Sequence, residues 1–201
     1  MKIYLASKSP RRRELLKQMS VEFEYLFTDI DEQITPDETP ETYSKRITKE
    51  KSDAAWTKIV QENLPKMPVL CADTEVVLNE RILGKPRDYN DAYAMLSAYS
   101  GGEHRVITSV GLTYLNFQKI SLSTTIVHFA TLSDKAIHHY LSTGDYLDKA
   151  GAYGIQSYIG QFISKIEGCF YSVMGLPLNA VRELLDDVEN NKDKVVSWVN
   201  K

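Results

Sequence analysis

The sequence has little that would staple a small secreted domain or hold a chain in a membrane. Its 201 residues include only two cysteines, Cys71 and Cys169, too few for a disulfide framework. No apolar run approaches the about 18 residues that a membrane span needs. Internal repeats, low-complexity stretches and Gly/Ser linkers are also missing. These absences predict a single domain over residues 1–201, located in the cytoplasm and not associated with a membrane.

Several common catalytic signatures are absent as well. The four histidines lack zinc-ligand spacing, and the chain contains no GxSxG motif and no complete GxGxxG motif. A zinc hydrolase, a serine hydrolase of that type and a dinucleotide site are therefore unsupported. Cys71 lies in an apolar run, and we interpret it as a buried strand residue rather than a nucleophile.

Charge is present but unevenly distributed. The chain has 24 Lys and Arg against 27 Asp and Glu, a formal net charge of −3. Residues 1–20 hold six basic residues against Glu14 alone, a local +5, so the remainder carries −8. A basic cluster in an acidic protein indicates a site for a small anion, and the overall acidity argues against a nucleic-acid polymer as partner.

The hydrophobic pattern predicts an α/β fold with a mixed twisted sheet and flanking helices, arranged as two lobes around a cleft. Strands are predicted at 3–6, 21–27, 69–78, 106–115, 120–129 and 161–166. Helices are predicted from 10, over 40–63, over 90–100, from 133, over 177–190 and over 193–199. Because the order is not a regular βαβ alternation, a doubly wound parallel sheet is disfavoured.

The segment 7–12, SKSPRR, is the first candidate site, where a strand gives way to a helix. The hydroxyls of Ser7 and Ser9, free backbone N–H groups and the guanidiniums of Arg11 and Arg12 together suit a phosphate. Basic residues at a helix N-terminus are electrostatically unfavourable, and a bound anion would explain them. A capped helix with a solvated basic turn and a minor-groove DNA contact are the alternatives.

Two further candidates sit on predicted regular elements. Lys51 occupies a position of the apolar stripe that includes Tyr43 and Ile47, so it either snorkels to solvent or projects into a cleft. Asp73 follows the apolar run 69–72, a position that suits a general base or a metal ligand. A turn-capping role for Asp73 is the alternative.

Loops provide the remaining candidates. Lys85 lies in the segment 83–86, LGKP, where Gly and Pro would hold it on a stiff turn for a phosphate contact. Gln156 ends a glycine-marked loop over 145–156, and its amide could read the edge of a base. An exposed turn lysine and an ordinary polar loop are the alternatives.

Taken together, these segments resemble a known family. The opening LASKSPRRRELL at 5–16 resembles the signature of the Maf family, which is named for its link to septum formation. The remaining segments resemble the rest of the family pattern in order: ADT at 72–74, LGKP at 83–86, SG at 100–101 with HRV at 104–106, and GLPL at 175–178. The resemblance covers about residues 3–185.

The resemblance implies an enzyme and a fold. Members of the family are nucleoside triphosphate pyrophosphatases that need a divalent cation, so Mg²⁺ or Mn²⁺ is the expected cofactor. Their fold is similar to that of the inosine triphosphatases. The loop 148–156 resembles the branch that acts on dTTP and UTP. A 7-methyl-GTP-type pyrophosphatase and a non-catalytic regulator of cell division are the alternatives, and a homodimer is possible.

The resemblance also implies roles for single residues. Asp73 aligns with the proton acceptor of the family. The positions that set substrate choice align with Arg11, Thr74 and Gln156. Polar cleft positions align with Glu32, Arg12, Lys51 and Lys85, with Glu32 and Asp73 as the expected metal ligands. The sequence departs from the family pattern at Glu75, at Ser157 and in the segment 169–172.

Overall fold

The computed structural model describes residues 1–190, and one sheet contains all of their strands. The strands are β1 (Lys2–Leu5), β2 (Glu22–Tyr25), β3 (Val69–Leu78), β4 (Arg81–Leu83), β5 (Glu103–Tyr114), β6 (Phe117–Phe129) and β7 (Ile163–Glu167). Their order is β2-β1-β3-β5-β6-β7, with β4 paired to β3. Strand β1 is parallel to β2 and β3, whereas β3, β5, β6 and β7 are antiparallel neighbours. The predicted mixed α/β sheet is confirmed.

Each helix predicted within residues 1–190 begins within one residue of its predicted start. They are α1 (Pro10–Gln18), α2 (Pro40–Gln61), α3 (Tyr89–Tyr99), α4 (Asp134–Ser142), α5 (Phe170–Val173) and α6 (Leu178–Asn190). The N-caps of α2 and α4, Thr39 and Ser133, accept hydrogen bonds from backbone N–H groups three residues later. The helix predicted at 193–199 lies outside the described residues. Among residues 1–190, no helix has the length and apolar character to cross a membrane.

Strand β3 directs alternate side chains to opposite faces of the sheet, as the period of two requires. Leu70 and Ala72 pack in the hydrophobic cluster that contains α1 and α6. Val69 and Cys71 pack in a different cluster, with residues of α2. The same alternation sends Asp73 toward α2, while the next side chain points toward α1.

Helix α2 lies close to the sheet because small hydroxyl residues line the contact. Ser44, Thr48 and Ser52 are fully buried, and their spacing of four places them on one helix face. Ser44 Oγ lies 2.9 Å from Ser109 Oγ on β5. A Cβ at Gly111 would lie only 2.9 Å from the Thr48 methyl carbon. This close packing fixes the height of α2 above β3.

The edge of β3 contains a gap between two short partners, which we call the notch. Strand β1 pairs with β3 at residues 69–70, and β4 pairs with it at 76–78. Between them, residues 71–75 have a strand partner on one side only, β5. Side chains from both faces of β3 can therefore reach one cavity at the notch.

Some predicted boundaries are wrong, chiefly at the sheet edges. Strand β2 covers 22–25 rather than 21–27 because its partner β1 is only four residues long. Strand β7 covers 163–167 rather than 161–166. The hairpin between β5 and β6 turns at residues 115–116, not at 116–118, because Phe117 already pairs with Tyr114. Short elements β4 and α5 were not predicted.

Candidate active site

A cavity of about 1010 Å³ opens at the notch. It has a charged end, formed by the segment 7–12 with Lys51 and Asp73, and a loop end, formed by residues 148–156. All the candidate residues named from the sequence line it: Ser7, Ser9, Arg11, Arg12, Glu32, Lys51, Asp73, Thr74, Lys85 and Gln156. Side chains separated by up to 149 positions in the chain are therefore brought to one place.

Lys51 projects into the cavity, which resolves the alternative left open by its helical position. Its Nζ donates to Asp73 Oδ1 at 2.7 Å and lies 2.9 Å from Glu32 Oε1. The Lys51 side chain is 16% exposed and that of Asp73 is 9% exposed, so this ion pair is poorly screened by solvent. Lys51 thus holds together two carboxylates, one from the loop that contains Glu32 and one from strand β3.

Glu75 adds a buried carboxyl group that the sequence reasoning did not assign to the site. It follows Asp73 by two residues on β3, points to the same face and lines the cavity. Burial, followed by the hydrogen bond and charge of Asp73, raises the pKa of Glu75 well above its usual value. Asp73 Oδ2 is buried without a donor, and a protonated Glu75 can supply one. The strand period alone would have identified this residue.

Arg12 braces the charged end. Its Nε donates to the Gly175 carbonyl at 2.9 Å, Nη1 to Ser7 Oγ at 3.2 Å and Nη2 to Thr74 Oγ1 at 3.0 Å. Burial lowers the pKa of Arg12, although the charge of Asp73 opposes this shift. The guanidinium joins strand β3 at Thr74 to the loops at residues 7 and 175, and it retains two N–H groups for a ligand.

Arg11 and Lys85 differ from Arg12, because neither side chain makes a hydrogen bond or ion pair with another residue in the range 1–190. The start of α1 is also open, since the Ser9 side chain makes no cap hydrogen bond. Instead, Ser7 Oγ accepts from the Ser9 N–H at 3.2 Å. Unpaired cations and free helical N–H groups at one end of a cavity suit an anion with several charges.

The carboxylates of the charged end fit a divalent cation that arrives with a phosphate ligand. Among residues 1–190, no group of three or more His, Cys, Asp or Glu side chains could hold a metal alone. Mg²⁺ commonly uses one or two carboxylates together with substrate phosphates and waters. Asp73 and Glu32, whose carboxylates meet at the Lys51 ammonium group, match that requirement.

The loop end is shaped by hydrogen bonds of uncharged groups and by one ion pair. Gln156 is exposed in the cavity, and Ser157 Oγ donates to the Gly154 carbonyl at 2.8 Å. Ser157, a departure from the family pattern, thereby closes the turn that carries Gln156. Lys149 Nζ is occupied by Asp145 at 2.7 Å and packs against Gly154.

Cys71 is buried, and burial raises the pKa of its thiol to about 11, which agrees with a packing role.

Comparison with known sequences identifies the class of protein. The Maf-like protein family matches residues 2–188, and the chain belongs to this family. The dTTP/UTP pyrophosphatase of Nitrosomonas europaea is 47% identical over 193 residues, covering 92% of this chain and 93% of that protein. The dTTP/UTP pyrophosphatase of Photobacterium profundum is 48% identical over 178 residues, covering 88% and 91%.

Two further comparisons agree. The dTTP/UTP pyrophosphatase of Escherichia coli O6:K15:H31 is 45% identical over 192 residues, covering 96% of this chain and 95% of that protein. Among solved structures, the Ham1 protein of Staphylococcus aureus matches with a TM-score of 0.50 at 12% identity, covering 93% of this chain and 99% of that one. This second likeness concerns the fold alone.

Proposed function

We propose that this protein hydrolyses dTTP and UTP to the nucleoside monophosphate and pyrophosphate. The observation that carries the proposal is the buried Asp73–Lys51 pair at the notch, beside the unpaired cations Arg11 and Lys85. A carboxylate for water and separated cations for a polyphosphate are what this reaction requires. The names of the relatives support the same substrates.

In the proposed reaction, a water attacks the α-phosphorus and the bond to the α–β bridging oxygen breaks, so that pyrophosphate leaves. Asp73 orients this water and accepts its proton. Arg11, Arg12, Lys51 and Lys85 offset the charge of the triphosphate. Ser7 and Ser9 offer hydroxyl contacts to its oxygens at the start of α1.

A divalent cation, Mg²⁺ or Mn²⁺, would be held by Asp73 and Glu32 and would supply Lewis-acid stabilisation of the phosphate charge. Asp73 could serve that ion instead of acting as the base, and both roles need its ionised carboxylate. Lys51 keeps Glu32 and Asp73 within 3 Å of one ammonium group. The chain's own contribution is therefore to bring the two carboxylates together.

Base selection belongs to the loop end in this proposal. Uracil and thymine present an acceptor, a donor and an acceptor along one edge, and the Gln156 amide can pair with part of it. Arg11 and Thr74 are further proposed contributors to substrate choice. We also propose a cytoplasmic location, where free nucleotides are found, and a single domain over 1–201; a homodimer stays a prediction.

The decisive experiment is a substrate panel: dTTP, UTP, CTP, ATP, GTP and 7-methyl-GTP, each with Mg²⁺ or Mn²⁺, with pyrophosphate and monophosphate quantified. We expect dTTP and UTP to give the largest kcat/KM. Faster hydrolysis of 7-methyl-GTP would place the protein in the other branch. No release from any substrate with either metal would favour the regulator.

Asp73→Asn tests the residue that carries the reaction. It preserves shape but removes the acceptor for the proton, so we expect kcat for dTTP to fall about 100-fold or more. Asp186→Asn is the matched control, because Asp186 pairs with Arg182 on the surface of α6, away from the cavity. A nearly normal kcat for Asp73→Asn would exclude its role as the base.

A further inference from the structure

The loop end contains backbone strain. Gly151 and Ala152 are consecutive residues with φ angles of +66° and +62°. The left-handed region is costly for alanine, about 1 kcal/mol or more per residue. Ala152 is also fully buried, and a Cβ at position 151 would lie 2.7 Å from the Tyr99 hydroxyl. Such a conformation persists only where the surrounding structure enforces it.

Three hydrogen bonds enforce it. His104 Nε2 and Tyr153 Oη are 2.7 Å apart, and Tyr99 Oη donates to the Gly151 carbonyl at 3.1 Å. The Gly151 N–H donates to the Gly84 carbonyl at 3.0 Å, which ties the loop to the turn that carries Lys85. The two contacts made by the tyrosine hydroxyls lie in the protein interior, where a hydrogen bond is strong and its loss is costly.

His104 is unsuited to acid–base chemistry at the cavity. It is 3% exposed and does not line the cavity, and its Nδ1 is buried without a partner. The rings of Tyr99, Phe129 and Tyr153 surround it, with centroids 4.4 to 5.6 Å from the imidazole. Burial lowers the pKa of His104 to about 4, so the ring is neutral near pH 7.

An apolar ring would fill the same space without leaving a polar nitrogen unpaired. Because Phe129 already shows that such a ring fits this cluster, the imidazole needs a reason. The structure offers one, namely the hydrogen bond to the Tyr153 hydroxyl. Gln156, the base-reading candidate, follows Tyr153 by three residues and depends on the same loop geometry.

We propose that His104 and Tyr99 are positioning residues, which hold the loop 148–156 through Tyr153 and Gly151 so that Gln156 meets the nucleobase. This inference rests on the proposed function for its kinetic consequence. Neither residue touches the substrate, and both act through the loop end. Their side chains make no hydrogen bond to the segment 7–12, to Lys51 or to Asp73.

The test is Tyr153→Phe, which removes one hydroxyl and keeps the ring. We expect the KM for dTTP and UTP to rise about tenfold, the equivalent of one buried hydrogen bond. We expect kcat to stay within about twofold, because Asp73 and Lys51 are untouched. Inhibition by pyrophosphate, which has no base, should stay unchanged. A general loss of packing would instead weaken the binding of both the nucleotide and pyrophosphate.

Tyr146→Phe is the matched control. Tyr146 is buried in the same hydrophobic cluster, but its hydroxyl makes no hydrogen bond with another described residue. We expect its KM values and its pyrophosphate inhibition to equal those of the wild type. An equal rise in KM for Tyr146→Phe and Tyr153→Phe would overturn the proposal.

A second measurement needs no substrate. Amide hydrogen exchange should become faster in residues 148–157 of Tyr153→Phe, with α4 unaffected. If Tyr153→Phe does not fold, Tyr99→Phe removes only the bond to the Gly151 carbonyl and should give the same pattern. Unchanged exchange and unchanged KM in the folded variants would overturn the inference. Absence of wild-type dTTP and UTP hydrolysis would instead refute the proposed function.

Discussion

The two ends of the cavity are built by different means. At the charged end, a hydrogen bond joins Arg12 to Thr74 and an ion pair joins Lys51 to Asp73, in each case between elements far apart in the chain. At the loop end, one continuous segment is held from behind by neutral aromatic rings and by His104. Under the proposed function, hydrolysis and the reading of the base by Gln156 would depend on separate sets of contacts and could be altered separately.

Lys51→Met should have the largest effect on activity, and this effect should arise at the charged end alone. It removes the ammonium group from two carboxylates, so we expect kcat/KM for dTTP to fall about 100- to 1000-fold. Lys49→Met, on the same helix with a pair to Asp53 at the surface, should stay within about twofold. Steady-state kinetics on both variants would measure this, and a loss below tenfold for Lys51→Met would contradict the comparison.

His104→Gln tests the loop end through the pH dependence of stability. Burial lowers the folded-state pKa of His104 to about 4, against about 6.5 when unfolded. The neutral imidazole of His104 therefore makes its full contribution to the free energy of unfolding above about pH 6.5. This contribution, about 3 kcal/mol in total, is lost as the pH falls toward 4. Urea unfolding of wild type should show this decline relative to His104→Gln.

His139 is exposed, so His139→Gln is the control for that experiment. Its free energy of unfolding should change with pH in parallel with that of the wild type. The carboxylates titrate in all three proteins, so the difference between curves isolates His104. Parallel curves for wild type and His104→Gln would show that the buried imidazole does not affect stability below pH 6.5.

Arg11→Lys and Arg12→Lys compare a free cation with a brace. Lysine keeps the charge but loses the planar fork, so Arg12→Lys should reduce the free energy of unfolding by about 1–2 kcal/mol. Arg11→Lys should leave stability within about 0.5 kcal/mol and mainly raise KM. Urea unfolding would measure the stability of both variants, and steady-state kinetics would measure their KM. Equal losses of stability would contradict the distinction between the unpaired Arg11 and the hydrogen-bonded Arg12.

Asp29→Asn should have the smallest effect. Lys8 Nζ pairs with Asp29 Oδ1 at 2.7 Å on the rim of the charged end, and both side chains are largely exposed. Releasing Lys8 for the triphosphate should lower KM by at most about twofold, because exposed pairs contribute little. Kinetics at low and high salt would show the gain shrinking with ionic strength; a raised KM would contradict it.

Local signals account for much of what the sequence predicts correctly. Thr39 and Ser133 mark helix starts because their caps bond within three residues. Strand β3 has the predicted bounds, 69–78, because its apolar run is buried on both faces. The strands β2 and β7 were misjudged because the length of an edge strand depends on its partner.

The residues of the candidate site also divide into those that the sequence predicts and those that depend on distant partners. Every candidate residue faces the cavity, because the family motifs identify positions that the fold brings together. The direction of Lys51 could not be decided, since it depends on Asp73, which lies 22 positions away on another element. The contact between His104 and Tyr153, on which the proposed positioning role rests, has no local signal in the sequence because it joins β5 to a distant loop.

The notch has a consequence for solubility. An open strand edge is a template on which another chain can pair, the first step in many aggregation processes. Residues 71–75 present such an edge, but β1 and β4 limit its length to five residues. The Asp73–Lys51 ion pair lies there, and an incoming strand would have to pack against its charges. The opening that we propose to admit a nucleotide is therefore protected against a foreign strand by its shortness and by its charged groups.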